Sequence, residues 1–340
     1  MDISEFDYHL PEALIAQEPA RPRDSSRLLV LRRETGEIEH RRFRDLLEYL
    51  RQDDVVVFND TRVIRARLRG RRLPGGGKAE VLLLADRGGG VWEALVTPGR
   101  RLPPGREIVF GDGGLRAQIL ERTEAGGRLL RFTSDIAVGE AIERIGEVPL
   151  PPYVHRPLDQ ESDYQTVFAR FPGASAAPTA GLHFTPEMAE MVRARVAAMV
   201  SVTLHVGVGT FRPVHVERVE DHVMHEESYA VSQETARLVN AAIEQGRRVV
   251  VIGTSTARAL EASIEGGKVQ PGARATDLFI IPGYRFQVVG ALLTNFHMPR
   301  STLLLLVSAL AGRDTVLQAY REAVEQGYRF LSFGDAMLIL

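Results

Sequence analysis

Residues 92–110 read WEALVTPGRRLPPGREIVF, and this stretch decides the fold. Two extended runs, Trp92 to Thr97 and Glu107 to Phe110, flank a break that carries Pro103-Pro104-Gly105. Short apolar-rich runs punctuated by proline and glycine are the pattern of antiparallel strands. The pattern repeats outward in both directions. Val55 to Phe58, Glu80 to Ala85, Leu115 to Glu121 and Arg128 to Phe132 are further runs, broken by Pro74-Gly75-Gly76-Gly77, Gly88-Gly89-Gly90 and Gly126-Gly127. Such spacing predicts a small antiparallel barrel or sandwich.

Beyond Pro149-Leu150-Pro151-Pro152 the texture becomes mixed α/β. Arg248 to Ile252 predicts a buried strand, with a helix starting near Thr254. Ser232 suits the N-cap of a helix running to Gln245, with Gly246 as its stop; Ser301 or Thr302 opens an apolar helix that closes at Gly312. Before Asp54 the elements are short, and Phe43 to Arg51 is compatible with helix. No internal repeat is visible. The expected fold class is α/β (α+β), with a mixed, open, α/β-barrel-like main domain over residues 1–58 and 147–340. A small antiparallel β-barrel over residues 59–146 interrupts it.

The 340 residues are 44% hydrophobic and 25% charged, the composition of a globular chain. The absence of cysteine excludes disulfides, zinc ribbons, iron–sulfur clusters and a thiol nucleophile. Met1 to Glu5 is acidic and carries no apolar signal region, and the longest apolar run, Leu303 to Leu310, is too short to cross a bilayer. A cytoplasmic location is expected. Only two of the 42 basic residues are lysine (Lys78 and Lys268), and the net charge is −2. Any nucleic-acid surface must therefore be a local patch.

Several segments combine glycine, hydroxyl groups and histidine. One is Ala177-Pro178-Thr179-Ala180-Gly181-Leu182-His183-Phe184. In residues 202–211, Val202, Leu204, Val206 and Val208 share one face by the period of two. Thr203, His205, Gly207 and Gly209 share the other, which a ligand or a second backbone can approach closely. His222-Val223-Met224-His225-Glu226-Glu227 raises the question of a metal, but the spacing is not His-Glu-x-x-His. No metal is expected there, and proton transfer by His225 or Glu226 is the better reading. Leu293-Thr294-Asn295-Phe296-His297-Met298-Pro299 lies between a strand and a helix, where α/β folds place ligand loops. Gly253-Thr254-Ser255-Thr256-Ala257-Arg258 feeds a helix N-terminus, which suits an anion. Arg62, Arg65, Arg67, Arg69 and Arg71 open the insert, either as a solvated edge strand or as a phosphate track.

Together these segments resemble the S-adenosylmethionine:tRNA ribosyltransferase-isomerases of queuosine biosynthesis, from Phe6-Asp7-Tyr8-His9-Leu10-Pro11 to Gly334-Asp335-Ala336-Met337-Leu338. The resemblance runs in order through VVFNDTRVIRARL, AAPTAGLHFT, TLHVGVGTFRPV, HVMHEESY, IPGYRF and TNFHMPRSTLLLLVSAL. Two departures are Thr254-Ser255-Thr256, where the family has two threonines then serine, and Gly290, where an acidic residue precedes TNFH.

The resemblance implies a β-barrel inserted in an α/β domain, and a reaction. The ribosyl part of S-adenosylmethionine is transferred and isomerised onto 7-aminomethyl-7-deazaguanine at the tRNA wobble position, giving epoxyqueuosine, adenine and methionine. The partner implied is tRNA carrying that base; S-adenosylmethionine is a co-substrate and no cofactor is expected, and a monomer is favoured. The sulfonium acidifies the ribose C5′–H, adenine leaves better when protonated, and the amine must be neutral, so tuned proton carriers are needed. His183, His205, His225 and His297 are expected to converge on one pocket, with Glu226 as an alternative base. Thr179, Gly181, Gly209, Thr210, Phe211, Gly253, Thr254, Ser255, Arg258, Asn295 and Phe296 are expected to hold S-adenosylmethionine. Arg258 would grip its carboxylate, and Phe211 or Phe296 would face its sulfonium. Arg62, Arg65, Arg67 and Arg69 are the candidates for tRNA. The rival is an S-adenosylmethionine-dependent RNA methyltransferase, whose glycine-rich first turn and acidic strand end are not found here.

Overall fold

The computed structural model describes residues 1–123, 126–207, 214, 216–224 and 226–340. Its strands run in chain order as β1 (Arg27–Leu31), β2 (Ile38–Arg42), β3 (Val55–Asn59), β4 (Thr61–Val63), β5 (Arg67–Leu73), β6 (Lys78–Gly88), β7 (Val91–Thr97), β8 (Glu107–Phe110), β9 (Leu115–Arg122) and β10 (Arg128–Ser134). They continue as β11 (Phe171–Ala174), β12 (Ala198–Leu204), β13 (Glu227–Val231), β14 (Val249–Ile252), the hairpin β15 (Ile264–Glu265) and β16 (Lys268–Val269), β17 (Gly272–Thr276), β18 (Ala291–Asn295) and β19 (Ala336–Ile339).

The larger sheet has nine strands in the order β17-β13-β12-β3-β14-β18-β19-β1-β2. Its centre, β12-β3-β14-β18, is parallel throughout. These strands are nearly continuous apolar runs because both faces are covered, as parallel sheets require. The period of two divides them cleanly. Val55, Val57, Val249, Val251 and Leu292 point into one core, while Val56, Val250, Ile252, Ala291 and Leu293 point into the other. The first core is roofed by helices Gln233–Glu244, Thr254–Ala262 and Thr302–Ala311; the second by Pro186–Arg195 and the short helix Leu46–Tyr49. Ser232 and Ser301 cap their helices through side-chain oxygens, and Gly312 ends the second at a φ of 85°, as the sequence predicts.

The chain leaves the central strand β3 at Asn59, pairs β4 with β11, and enters a closed antiparallel barrel in the order β10-β7-β6-β5-β8-β9. Leu68, Val81, Ile108, Ile119 and Leu130 fill it, and the helix Val138–Ile145 packs Ala141 and Ile142 against the same cluster. The barrel thus hangs from the carboxyl end of the innermost parallel strand. That is the edge at which open α/β sheets bind ligands.

Candidate active site

Asn59 ties the carboxyl ends of three parallel strands together. Its Nδ2 donates to Leu204 O at 2.9 Å and to Ser255 Oγ at 3.2 Å, while its Oδ1 accepts from Leu204 N and Thr61 N. The next residue, Asp60, is buried and accepts from Ser201 Oγ and Thr203 Oγ1, both at 2.7 Å. Gly253 turns from β14 into the following helix at a φ of 90°, a conformation that favours glycine, and leaves Thr254 and Ser255 at the helix start.

Two cavities open at this edge. A slot of about 610 Å³, counting its mouth, is lined by Ala177–Ala180, Val206, Gly253–Ser255, Thr294–Met298 and Leu303, among others. A larger cleft, about 2600 Å³ on the same measure, lies between the barrel and the main domain. Its barrel wall includes Arg87, Trp92, Glu93 and Leu95; its other wall includes Pro172, Gly173, His205, Gly207, Glu226 and Glu227. The two spaces share segments: Val206 lines the slot while its neighbours His205 and Gly207 line the cleft. Carboxylates outnumber cations in the cleft, with Asp86, Glu93, Glu143, Glu226 and Glu227 against Arg62 and Arg87.

The three described histidines of the expected set, His183, His205 and His297, do not meet in one cavity. His297 lines the slot, His205 lines the cleft, and His183 lines neither. His183 is buried, stacked at 5.0 Å on Phe43, with Nδ1 at 2.8 Å from Ser26 Oγ and Nε2 at 3.2 Å from Asn295 Nδ2. His297 also has both nitrogens engaged, by Thr294 Oγ1 at 3.1 Å and the Tyr320 hydroxyl at 3.2 Å. Burial pushes the His183 ring down to about 4 and the His297 ring to about 3, so both are neutral at physiological pH. His205 differs. Its Nδ1 is 2.8 Å from Thr61 Oγ1, while no described group takes its Nε2. Burial lowers its pKa, and the nearby Asp60 carboxylate opposes that shift. A Cβ at Gly173, whose φ is +150°, would come within 2.7 Å of the His205 ring, so only glycine lets the ring lie there.

Other expectations are also redistributed. Arg258 does not face the slot. Its guanidinium is buried against the Glu227 carboxylate and donates to Leu278 O, because a buried charge must be paired. Glu227, rather than its neighbour Glu226, is the buried carboxylate here: it accepts from Gly207 N at 2.8 Å and lines the same cleft as His205. Thr179, Gly253, Thr254, Ser255, Asn295 and Phe296 all line the slot. Phe296 packs on Tyr320, Tyr328 and Phe330. Gly181 is not among the slot's lining residues; a Cβ there would press Thr166 Cγ2 at 3.0 Å, so it is a packing glycine. Of the arginine row only Arg62 reaches the cleft. Arg65 pairs with Glu161 at 2.9 Å, Arg67 with Glu80 at 3.7 Å, and Arg69 with Glu147 at 3.2 Å. Gly209, Thr210, Phe211 and His225 lie outside the described residues, as does Val208. Among the described residues no group of three or more histidine and acidic side chains is arranged to hold a metal ion.

Asn59, Asp60 and Thr61 carry no motif of their own in the sequence. Their signal was positional: a polar triplet directly after the buried run Val55 to Phe58, at the end of a central strand.

A family model described as queuosine biosynthesis protein matches residues 3–339. The S-adenosylmethionine:tRNA ribosyltransferase-isomerases of Moorella thermoacetica and Symbiobacterium thermophilum are each 54% identical to this chain, with all of both partners covered. A solved structure of the S-adenosylmethionine tRNA ribosyltransferase of Thermotoga maritima is 42% identical, with a TM-score of 0.58 over 99% of this chain and 100% of that one.

Proposed function

The chain belongs to the queuosine biosynthesis protein family, and on that premise we propose how its two cavities divide the work of an S-adenosylmethionine:tRNA ribosyltransferase-isomerase. The enzyme transfers and isomerises the ribosyl moiety of S-adenosylmethionine onto tRNA. The acceptor in our reading is 7-aminomethyl-7-deazaguanine at the wobble position, and adenine and methionine leave. The reaction takes place in the cytoplasm, with one chain as the working unit.

One observation carries the division: the segment 205–207, at the carboxyl edge of the parallel strands, lines both spaces, Val206 the small slot and His205 and Gly207 the wide cleft. The slot, lined by Ala177, Val206, Phe296 and Leu303, takes the nucleoside end of S-adenosylmethionine. The cleft takes the acceptor base, splayed from a single-stranded anticodon loop without opening a duplex. Trp92, the chain's one tryptophan, offers a stacking face there, and Arg62 meets the RNA backbone. The carboxylate-rich lining favours cations, and both the sulfonium and the protonated aminomethyl group are cations.

His205 is the proton acceptor. Thr61 orients its Nδ1 side, its Nε2 is open to the cleft, and its lowered pKa keeps the ring neutral and ready to take a proton at pH 7. Glu227, held by Arg258 and the Gly207 amide, lines the same cleft.

The test is product analysis of tRNA carrying 7-aminomethyl-7-deazaguanine after incubation with S-adenosylmethionine. Mass spectrometry should find the ribosyl-derived ring on the wobble base, with one adenine and one methionine released per transfer. S-adenosylhomocysteine and a methylated nucleoside in their place would make this a methyltransferase.

A further inference from the structure

Asn295 ends β18 at the wall of the slot, buried, and its amide has one possible orientation. Nδ2 lies 3.1 Å from Leu331 O, and a carbonyl can only accept. Rotating the amide would set two acceptors against each other, so Nδ2 is fixed as the donor. Its second hydrogen goes to His183 Nε2 at 3.2 Å. That nitrogen must then be the unprotonated one, and the imidazole proton sits on Nδ1, donated to Ser26 Oγ at 2.8 Å. Phe43, stacked on the ring, keeps it in place. A relay from Ser26 through His183 thus locks the amide, and Asn295 Oδ1 is left buried with no donor among the described residues. An unmade hydrogen bond at a buried acceptor is costly, and this one belongs to a residue that lines the slot, where a ligand's donor would complete it.

The remainder of the slot says what that ligand is. Several of its other polar side chains already have partners: Thr294 on His297, Ser301 on Met298 O, and Ser332 on the Tyr153 hydroxyl. Much of the rest is apolar, including Ala177, Pro178, Ala180, Val206, Phe296 and Leu303. A flat, largely apolar group carrying an N–H donor at its rim fits both features.

We propose that the slot is an aminopurine site in which Asn295 Oδ1 accepts from the exocyclic amino group of the adenine of S-adenosylmethionine, so that Asn295 selects a 6-amino purine over a 6-oxo one. This inference rests on the slot being the S-adenosylmethionine site. A 6-oxo base would point a second acceptor at Oδ1 and be rejected. The acceptor base also bears an amino group, but it is carried on an RNA strand and needs the wide cleft. His183, which touches no ligand here, is a positioning residue for the amide.

Free adenine, hypoxanthine, purine and guanine can each be titrated as inhibitors of turnover by the intact enzyme. Adenine should compete with S-adenosylmethionine, and hypoxanthine and purine should be at least about tenfold weaker. In Asn295→Ala the adenine-to-hypoxanthine ratio should fall towards one. The wild-type comparison stands by itself if that variant does not fold. Equal inhibition by adenine, hypoxanthine and purine, no inhibition by any, or a ratio unchanged in Asn295→Ala overturns the inference. Guanine binding more tightly than adenine overturns it as well, by giving the slot to the acceptor base. Adenine release during turnover is scored separately. Release without discrimination removes this inference alone, whereas no release removes the reading on which it rests.

Discussion

The two ends of the same parallel strands are built to opposite purposes. At the amino end, Asp54 precedes β3 and Arg248 precedes β14, and the two close a bidentate pair at 2.9 and 2.6 Å. Asp54 also accepts from Arg51 N, and Arg248 also donates to Tyr49 O. Neither carboxylate oxygen of Asp54 is left over. At the carboxyl end, Asn295 Oδ1 has no donor, His205 keeps a ring nitrogen open, and two cavities intervene. The contrast teaches where to look for chemistry: the Asp54–Arg248 pair holds the sheet together, while an unmade hydrogen bond in a residue that lines a cavity marks a place for a ligand.

The largest expected effects come from exchanging damage between the two ends. His205→Ala should lower kcat/KM by about a hundredfold or more. Its melting temperature should move little, since the ring makes one side-chain hydrogen bond, to Thr61, and is only half-buried. Asp54→Ala should do the reverse. It leaves Arg248 unpaired and should cost about 3–5 kcal/mol of stability, while turnover per folded molecule stays near wild type. Parallel denaturation and kinetics check both. A His205 variant that unfolds but still turns over, or an Asp54 variant that is stable and inactive, would erase the distinction.

A smaller effect separates the buried histidines from the open one. His183 and His297 are held neutral, with folded values of about 4 and about 3 below the ordinary 6.5. A lowered folded value means the unfolded chain binds protons first as pH falls. Stability is therefore complete above about pH 6.5 and declines towards pH 3–4, by about 1.4 kcal/mol per pH unit for each imidazole. Urea unfolding between pH 7 and 5, where carboxylates stay ionised, should show that slope, and His183→Gln should remove about one proton from it. A slope that His183→Gln leaves intact would mean the ring is not shielded as its partners indicate.

Much of this was legible in the sequence, for identifiable reasons. Strands β8 and β9 carry their own punctuation in Pro104-Gly105 and Gly113-Gly114, and helix caps at Ser232 and Ser301 are local chemistry. The helix Val138–Ile145 was passed over because its eight residues have no side-chain cap to announce them. In the site, hydroxyl- and glycine-rich turns such as Thr179 and Gly253 to Ser255 reached the slot because turns at strand ends have few other places to go. What failed was long-range. Nothing near Arg258 in sequence reveals that Glu227 pairs with it, and nothing near His183 reveals Ser26 or Asn295. A histidine motif looks the same whether its partners make it a proton carrier or a packed ring.

The arginine row gives the smallest expected effect and the sharpest boundary for the contrast. Arg65, Arg67 and Arg69 project from the start of the barrel, but each has a carboxylate within 4 Å, in Glu161, Glu80 and Glu147. A bare guanidinium that meets a phosphate releases condensed counterions and adds roughly 0.7–0.9 to the slope of log affinity against log salt. One already facing a carboxylate must break that pair first, so its net contribution is reduced. The triple change to glutamine should therefore lower the salt slope of tRNA binding by less than about one, where three free contacts would give roughly two to three. Arg62, inside the cleft, also faces a carboxylate, Glu143 at 3.7 Å, so Arg62→Gln should likewise lower the slope by less than about one contact. A triple variant that loses the full two to three would place the RNA backbone along the outer face of the barrel. The carboxyl-edge cleft would then hold only the base, and its acid-rich walls would have no phosphate to repel.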